Sequence, residues 1–359
     1  MRRMEKLLTI IIPCFNMEQY LRGCLDSLSL WDDEHGRLLE VLVINDGSKD
    51  NTSQIAHGYA ADFPNSVKVV DKGNGHYGSC INAGLSIAQG KFVKILEPDD
   101  VFDKNGFGGF LSELAHLEAS GELKTVDLLL TGFVKNTPSG QVILRSNLEY
   151  TPRKPMDFEE FQAPLKYHIL LPAVTYRLSI LKEIDYHQTE GCPYTDIEWL
   201  CVPMHKVQNV MYLPYVVYMY LIGRDGQTIE QSTFSRNVNV ILRLISCLLK
   251  RYDSFLDARR PAVRKYVDKV LLAQIAIIYR AYLIDKGINL RIEDLKAFDD
   301  LLKRMTPNLY CASDFIIKSK FFSYHYVRCF RKPGLLSLIK QKLFFAYARF
   351  SSFRNWLKS

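Results

Sequence analysis

The sequence predicts an α/β fold: a mixed, mainly parallel sheet flanked by helices, followed by a helical region. Over the first third, short apolar runs rich in β-branched residues alternate with segments of helical periodicity, the signature of βαβ units. Beyond residue 235 the pattern changes to long stretches with apolar residues every three or four positions. Composition agrees, since 359 residues at 48% hydrophobic and 24% charged make an ordinary globular chain and exclude a disordered one.

The first strand is Leu7 to Ile12. The basic Met1 to Lys6 before it is like the start of a signal peptide, but the apolar run ends at Pro13, too short for the hydrophobic core of one. A helix over Met17 to Leu30 follows, then strand Leu39 to Ile44 and helix Thr52 to Ala61, strand Val67 to Val70 and helix Gly78 to Ala88, and strand Phe92 to Leu96. Thr125 to Val134 and Tyr212 to Ile222 read as further strands, and Val238 to Asp257, Val263 to Lys286 and Ile292 to Met305 as helices. No stretch reaches eighteen uninterrupted apolar residues, so no membrane span is predicted. Eight cysteines scattered among apolar residues, with no C-x-x-C spacing, suit reduced core thiols and a cytoplasmic protein.

In a parallel sheet, ligands bind beyond the carboxyl ends of the strands. The residues there are Pro13-Cys14-Phe15-Asn16, Asn45-Asp46-Gly47-Ser48, Asp71-Lys72-Gly73-Asn74-Gly75 and Glu97-Pro98-Asp99-Asp100. Asp46 either accepts hydrogen bonds from a base or ribose or simply closes a turn, with Asp50, Asn51 or Thr52 capping the next helix. Three acids within Glu97 to Asp100 repel one another unless a counter-charge is supplied, and a divalent cation on a diphosphate supplies one through hard oxygen ligands. An acidic surface turn is the plain alternative. Gly73, Gly75 and Gly78 spell G-x-G-x-x-G between a strand and a helix, which admits a dinucleotide-binding fold; but they follow the third βα unit, not the first. Further on, Thr195-Asp196-Ile197-Glu198 precedes an apolar run, either capping a helix or presenting a carboxylate that takes a proton. Arg224 follows an apolar strand, at a turn.

Taken together, Thr9 to Asn16, Glu18 to Leu28, Val43 to Asp50, Asn82-Ala83-Gly84, Gly90-Lys91 and Glu97 to Asp100 resemble the family 2 glycosyltransferases of the GT-A fold, in order and spacing. The resemblance covers residues 7 to 235, which gives a catalytic domain over 1–235 and a helical region over 236–359. It implies that Pro13, Phe15 and Asn16 line a nucleotide pocket, that Glu18 and Asp46 hold base and ribose, and that Asp99 ligates Mn or Mg on the phosphates of a UDP-sugar. Asp196 takes the position of the catalytic base, and Arg224 falls in a segment that closes over the diphosphate. The implied reaction is an inverting transfer to a hydroxyl of a saccharide or lipid-linked saccharide. The local form Gly73 to Asn82 resembles bacterial members associated with surface polysaccharides, capsule among them.

Two departures stand out. Glu97 occupies a position usually held by Asp, and Ile81 one often held by Arg, leaving Lys72, beside Asn74 and Gly75, as the cation for the phosphates. These departures also allow an inactive, glycosyltransferase-like scaffold; an NAD-dependent dehydrogenase is the other alternative. After Asp314 no acid occurs, while ten Lys and Arg do, so the net charge of +7 belongs mainly to the tail. Leu336, Ile339, Leu343, Ala346 and Phe350 give that tail an apolar stripe, which either lies on an anionic membrane surface at the inner face of the cell membrane or packs on the protein or on a second copy. No nucleic-acid-binding motif accompanies the charge.

Overall fold

The computed structural model describes residues 6–28, 33–137, 140–144, 150–221, 231–257, 259–285, 290–318, 323–334, 339 and 342. The elements run β1 (Leu8–Cys14), α1 (Leu21–Asp26), α2 (Asp33–Leu38), β2 (Leu39–Asn45), α3 (Thr52–Asp62), β3 (Val67–Asp71), α4 (His76–Ile87), β4 (Phe92–Ile95), β5 (Val101–Phe102) and α5 (Lys104–Ser120). There follow β6 (Leu128–Thr137), β7 (Gly140–Leu144), β8 (Pro155–Asp157), α6 (Phe158–Gln162), β9 (Val174–Arg177), α7 (Leu178–Glu183), α8 (Asp196–Cys201) and β10 (Asn209–Leu221). Among the described residues that follow, the elements are α9 (Gln231–Phe255), α10 (Pro261–Arg280), α11 (Ile292–Met305), α12 (Pro307–Ala312), β11 (Ile317–Lys318), β12 (Ser323–Tyr324) and α13 (Tyr326–Arg331).

A mixed sheet of ten strands runs in the order β3-β2-β1-β4-β9-β6-β10-β5, with β7 on β6 and β8 on β10. The first four are mutually parallel; β9 runs against both β4 and β6, and β10 is parallel to β6. Every residue of β1 and β2 is buried, as expected for parallel strands covered on both faces. Pro13 fits a central strand because β1 pairs with β4 only as far as Ile11, so the missing amide lies past the last pair on that side. Gly84 lets α4 sit tightly on β1, since a Cβ there would meet the Ile11 side chain at 2.8 Å.

The chain divides into two compact units, one of residues 1–230 and 255–270, the other of 231–254 and 271–359. The first contains the whole ten-stranded sheet together with a stretch of later helix that lies beyond residue 235. In the second, Arg331 donates to Asp299 (2.8 Å), to the Ser313 hydroxyl (2.8 Å) and to the Tyr310 carbonyl (2.8 Å), and lies 3.6 Å over the Tyr310 ring. No helix among the described residues is long and apolar enough to cross a membrane. Of the tail stripe only Ile339 and Lys342 are described; the rest lies outside the described residues. Cysteines 14, 24, 80 and 201 are buried as expected, whereas Cys247 and Cys311 are exposed.

Candidate functional site

The loops after β1 and β2 are stitched together by their own polar side chains. Asn16, in the left-handed region at φ +54°, donates its amide to Ser48 Oγ (2.9 Å) and accepts from the Lys49 amide (2.8 Å). Glu18 accepts from both the amide and the side chain of Asn51 (2.9 and 2.8 Å), so in this state its carboxylate braces the loop. The helix after β2 starts through Asp50, which accepts from the Thr52 amide (3.0 Å). Phe15 is 44% exposed just past the end of β1, an unusual exposure for a large aromatic side chain.

Asp46 is only 2% exposed. Its carboxylate accepts from Lys72 Nζ (2.6 Å) and the Gly75 amide (2.9 Å), and its carbonyl from Asn74 Nδ2 (3.1 Å). Lys72 also donates to the Gly73 carbonyl and Ser79 Oγ, each at 2.7 Å. All three protons of the ammonium are thereby placed, so Lys72 must exchange one of these partners to hold a phosphate. The structure thus gathers Asp46, Lys72, Asn74 and Gly75 into one hydrogen-bonded group.

The acids after β4 separate into distinct roles. Asp100 is 1% exposed and accepts from the Tyr218 hydroxyl (2.7 Å) and the Leu221 amide (2.8 Å), which ties β10 to this turn. Glu97 accepts from the Tyr77 hydroxyl at 2.8 Å, a contact toward α4 that its extra methylene helps it make. Burial pushes the Glu97 carboxyl well above its ordinary range, reinforced by the charges of Asp99, Asp100 and Asp196. Pro98 is buried behind them, and Asp99 is 9% exposed.

Asp196 opens α8, with Thr195 as N-cap residue; the Thr195 hydroxyl bonds Gln188 rather than the helix, so a capping box does not form there. Burial raises the Asp196 carboxyl to about 6, against bonds from its own amide and that of Ile197. A carboxylate poised near neutrality is suited to accept a proton. The Gly191 amide, in the segment that leads into α8, donates to the Gly75 carbonyl (2.9 Å), which sets that segment beside the loop after β3. Of the five non-glycine residues at positive φ among the described residues, Asn16 follows β1, His76 opens α4 and Tyr194 stands just before α8. Arg224 lies outside the described residues. Tyr77 and Tyr218 were not among the residues singled out from the sequence; nothing local marks a strand tyrosine whose partner is 118 residues away.

The chemistry of the site suits a divalent cation brought in with phosphates. Among the described residues no group of three or more His, Cys, Asp or Glu forms a complete set of ligands. A turn that gathers Glu97, Asp99 and Asp100 nevertheless offers hard oxygen of the kind a divalent cation takes.

Residues 9–175 match the model of the glycosyl transferase family 2. An uncharacterized glycosyltransferase of Mycoplasma pneumoniae is 38% identical over 112 residues, 31% of this chain and 37% of that protein. The minor teichoic acid biosynthesis protein GgaB of Bacillus subtilis is 30% identical over 104 residues, 29% of this chain and 11% of the other. The chain therefore spans little more than a third of the first relative's length and far less of the second's. Among solved structures, residues 1–349 of S. aureus TarS in complex with UDP-GlcNAc give a TM-score of 0.59 at 20% identity, covering 84% of this chain and 82% of TarS, which is a likeness of fold.

Proposed function

We propose, from the match of residues 9–175 to the model of the glycosyl transferase family 2, that this chain is a glycosyltransferase of that family and moves a sugar from a UDP-sugar to a hydroxyl of a saccharide or lipid-linked saccharide. The observation that carries this reading is the meeting, at one sheet edge, of a buried nucleotide-side carboxylate (Asp46), an acidic turn (Glu97 to Asp100) and a carboxylate poised near neutrality (Asp196). Phe15 stacks on the uracil, and Asp46 with the Gly75 amide and Lys72 orients the ribose and phosphates. Asp99 would hold Mn or Mg, which would supply positive charge for the diphosphate of the leaving UDP. Asp196 takes the proton of the acceptor hydroxyl as its oxygen attacks the anomeric carbon, so a single displacement inverts that centre. Arg224 would supply a guanidinium to offset charge on the leaving UDP.

Support for the donor comes from TarS, a protein of the same fold seen with UDP-GlcNAc, and for bacterial surface glycan synthesis from the teichoic acid protein GgaB. An acceptor on a lipid would place the enzyme at the inner face of the membrane, with the basic tail toward the anionic surface.

Calorimetric titration of UDP with and without Mn tests the reading. Wild type binds more tightly with Mn, and Asp99→Ala weakens that Mn-dependent binding by about 10-fold to 100-fold, the usual scale for metal-site losses. Failure of UDP to bind under either condition leaves the inactive scaffold.

A further inference from the structure

The sequence offers two acids at the start of α8, Asp196 and Glu198, and residues two apart on a helix point to different sides. Glu198 is only 1% exposed. Its carboxylate accepts from the Thr189 amide (2.6 Å) and the Thr189 hydroxyl (2.8 Å), binding the segment 186–195 from one side. Asn82 of α4 grips the same segment from the other side. It accepts from the Gln188 amide (2.8 Å) and donates to the Gln188 carbonyl (3.0 Å) and to Glu190 Oε1 (2.8 Å). Two further bonds complete the seating, Gly191 amide to Gly75 carbonyl (2.9 Å) and Thr195 hydroxyl to Gln188 Oε1 (3.0 Å). The Gly75 amide in turn donates to Asp46, so this segment is continuous with the nucleotide side of the site.

Gly78 shows how close the seating is. A Cβ at that position would come within 2.1 Å of the Thr189 carbonyl oxygen, a distance that two atoms cannot hold. The third glycine of the G-x-G-x-x-G pattern therefore makes room for this segment.

We propose that Glu198 is a positioning residue: with Asn82 it seats segment 186–195 against α4, and through that seating fixes Asp196 at the start of α8 without itself transferring a proton. The inference rests on the reading of Asp196 as the base. Its consequence is that displacing the segment misplaces the base while leaving the nucleotide-binding groups intact, and a misplacement of about 1 Å costs on the order of 10²-fold in turnover.

The experiment follows metal-dependent release of UDP from UDP-GlcNAc, UDP affinity by calorimetry, and hydrogen exchange over 186–195, all on the full chain. Glu198→Gln keeps both bonds, its carbonyl accepting from the Thr189 amide and its NH2 donating to the Thr189 hydroxyl; turnover stays within about threefold of wild type, the scale of trading charge-assisted for neutral bonds. Glu198→Ala and Gly78→Ala each lower kcat by at least about tenfold and speed exchange over 186–195, with UDP affinity held within about twofold. Alanine at 78 removes no polar group and favours helix, so its effect reports displacement of the segment. Glu198→Gln as inactive as Asp196→Asn overturns the proposal, because Glu198 then carries the proton. Wild-type turnover or wild-type exchange in Gly78→Ala overturns it too. If wild type binds no UDP, the donor reading fails on its own, and the exchange measurement alone decides whether Glu198 and Gly78 seat the segment.

Discussion

Asp299 in the helical unit and Glu97, Asp99 and Asp100 at the sheet edge are all acids withdrawn from water, yet their surroundings differ. Asp299 meets the Arg331 guanidinium at 2.8 Å and accepts from the Tyr279 hydroxyl, while the remaining donors of Arg331 go to a carbonyl and hydroxyls. Charge there is balanced and the hydrogen bonds are complete. At the sheet edge three acids share one turn with Asp196 nearby, and Glu97 is pushed upward by burial and by its acidic neighbours. A fold retains the first arrangement for stability. The second crowds like charges into one turn and shifts a carboxyl upward, which is the pattern that marks a candidate site rather than a structural ion pair.

The largest effect that sharpens this contrast is expected from Asp196→Asn. Loss of a positioned base lowers turnover by about 10²-fold to 10⁴-fold, with UDP affinity unchanged. Because burial raises the Asp196 carboxyl to about 6, wild-type turnover falls as pH drops through that value. The same shift has a stability consequence of opposite sense. The folded state holds its proton more tightly than the unfolded chain, whose carboxyl titrates near 3.8, so the ionised group opposes folding above pH 6 and the opposition fades as pH falls toward 4. Asp196→Asn is therefore more stable than wild type by about 3 kcal/mol at pH 7.5 and nearly level with it near pH 3.5. Urea midpoints at the two pH values check this, and equal midpoints at both would remove the claim that the carboxyl is strained.

Next in size is Asp299→Ala, which strands Arg331 without its carboxylate and lowers stability by about 3 kcal/mol. UDP affinity is the control, and it stays unchanged. A stability loss at Asp299 as small as that of a surface pair, under about 1 kcal/mol, would break the contrast between the two acidic groups.

How much of this could be read from the sequence depends on how local the cause is. The alternating apolar runs and the turns after them mark β1 to β4 and their ends, because burial on both faces requires an unbroken apolar strand. Asp46 and Asp99 stand out because carboxylates closing apolar runs are costly and local, and Asp196 because it stands just before one. The distinction between Glu97, Asp99 and Asp100 was not legible, since it is made by Tyr77 and Tyr218 across 20 and 118 residues. The same holds for Glu198, whose partner Thr189 is close in sequence but whose purpose depends on the contact of Thr189 with Gly78. The Lys72–Asp46 pair was likewise hidden, as its two members end different strands.

The smallest effect concerns Phe15, which contributes to neither kind of acidic environment. It is a large apolar side chain left 44% exposed just past the end of a strand buried throughout, where the fold gains little from it. Stacking of one base on an aromatic ring is worth about 1 to 3 kcal/mol. Phe15→Ala accordingly weakens UDP binding by about tenfold, with Mn dependence retained and the urea midpoint unmoved. Phe15→Tyr or Phe15→Trp restores the affinity, since any flat ring offers the same face. Were Phe15→Ala instead to cost stability while sparing UDP, the ring would belong to the scaffold, and the nucleotide side of the site would have to be redrawn around Asp46 and the Gly75 amide alone.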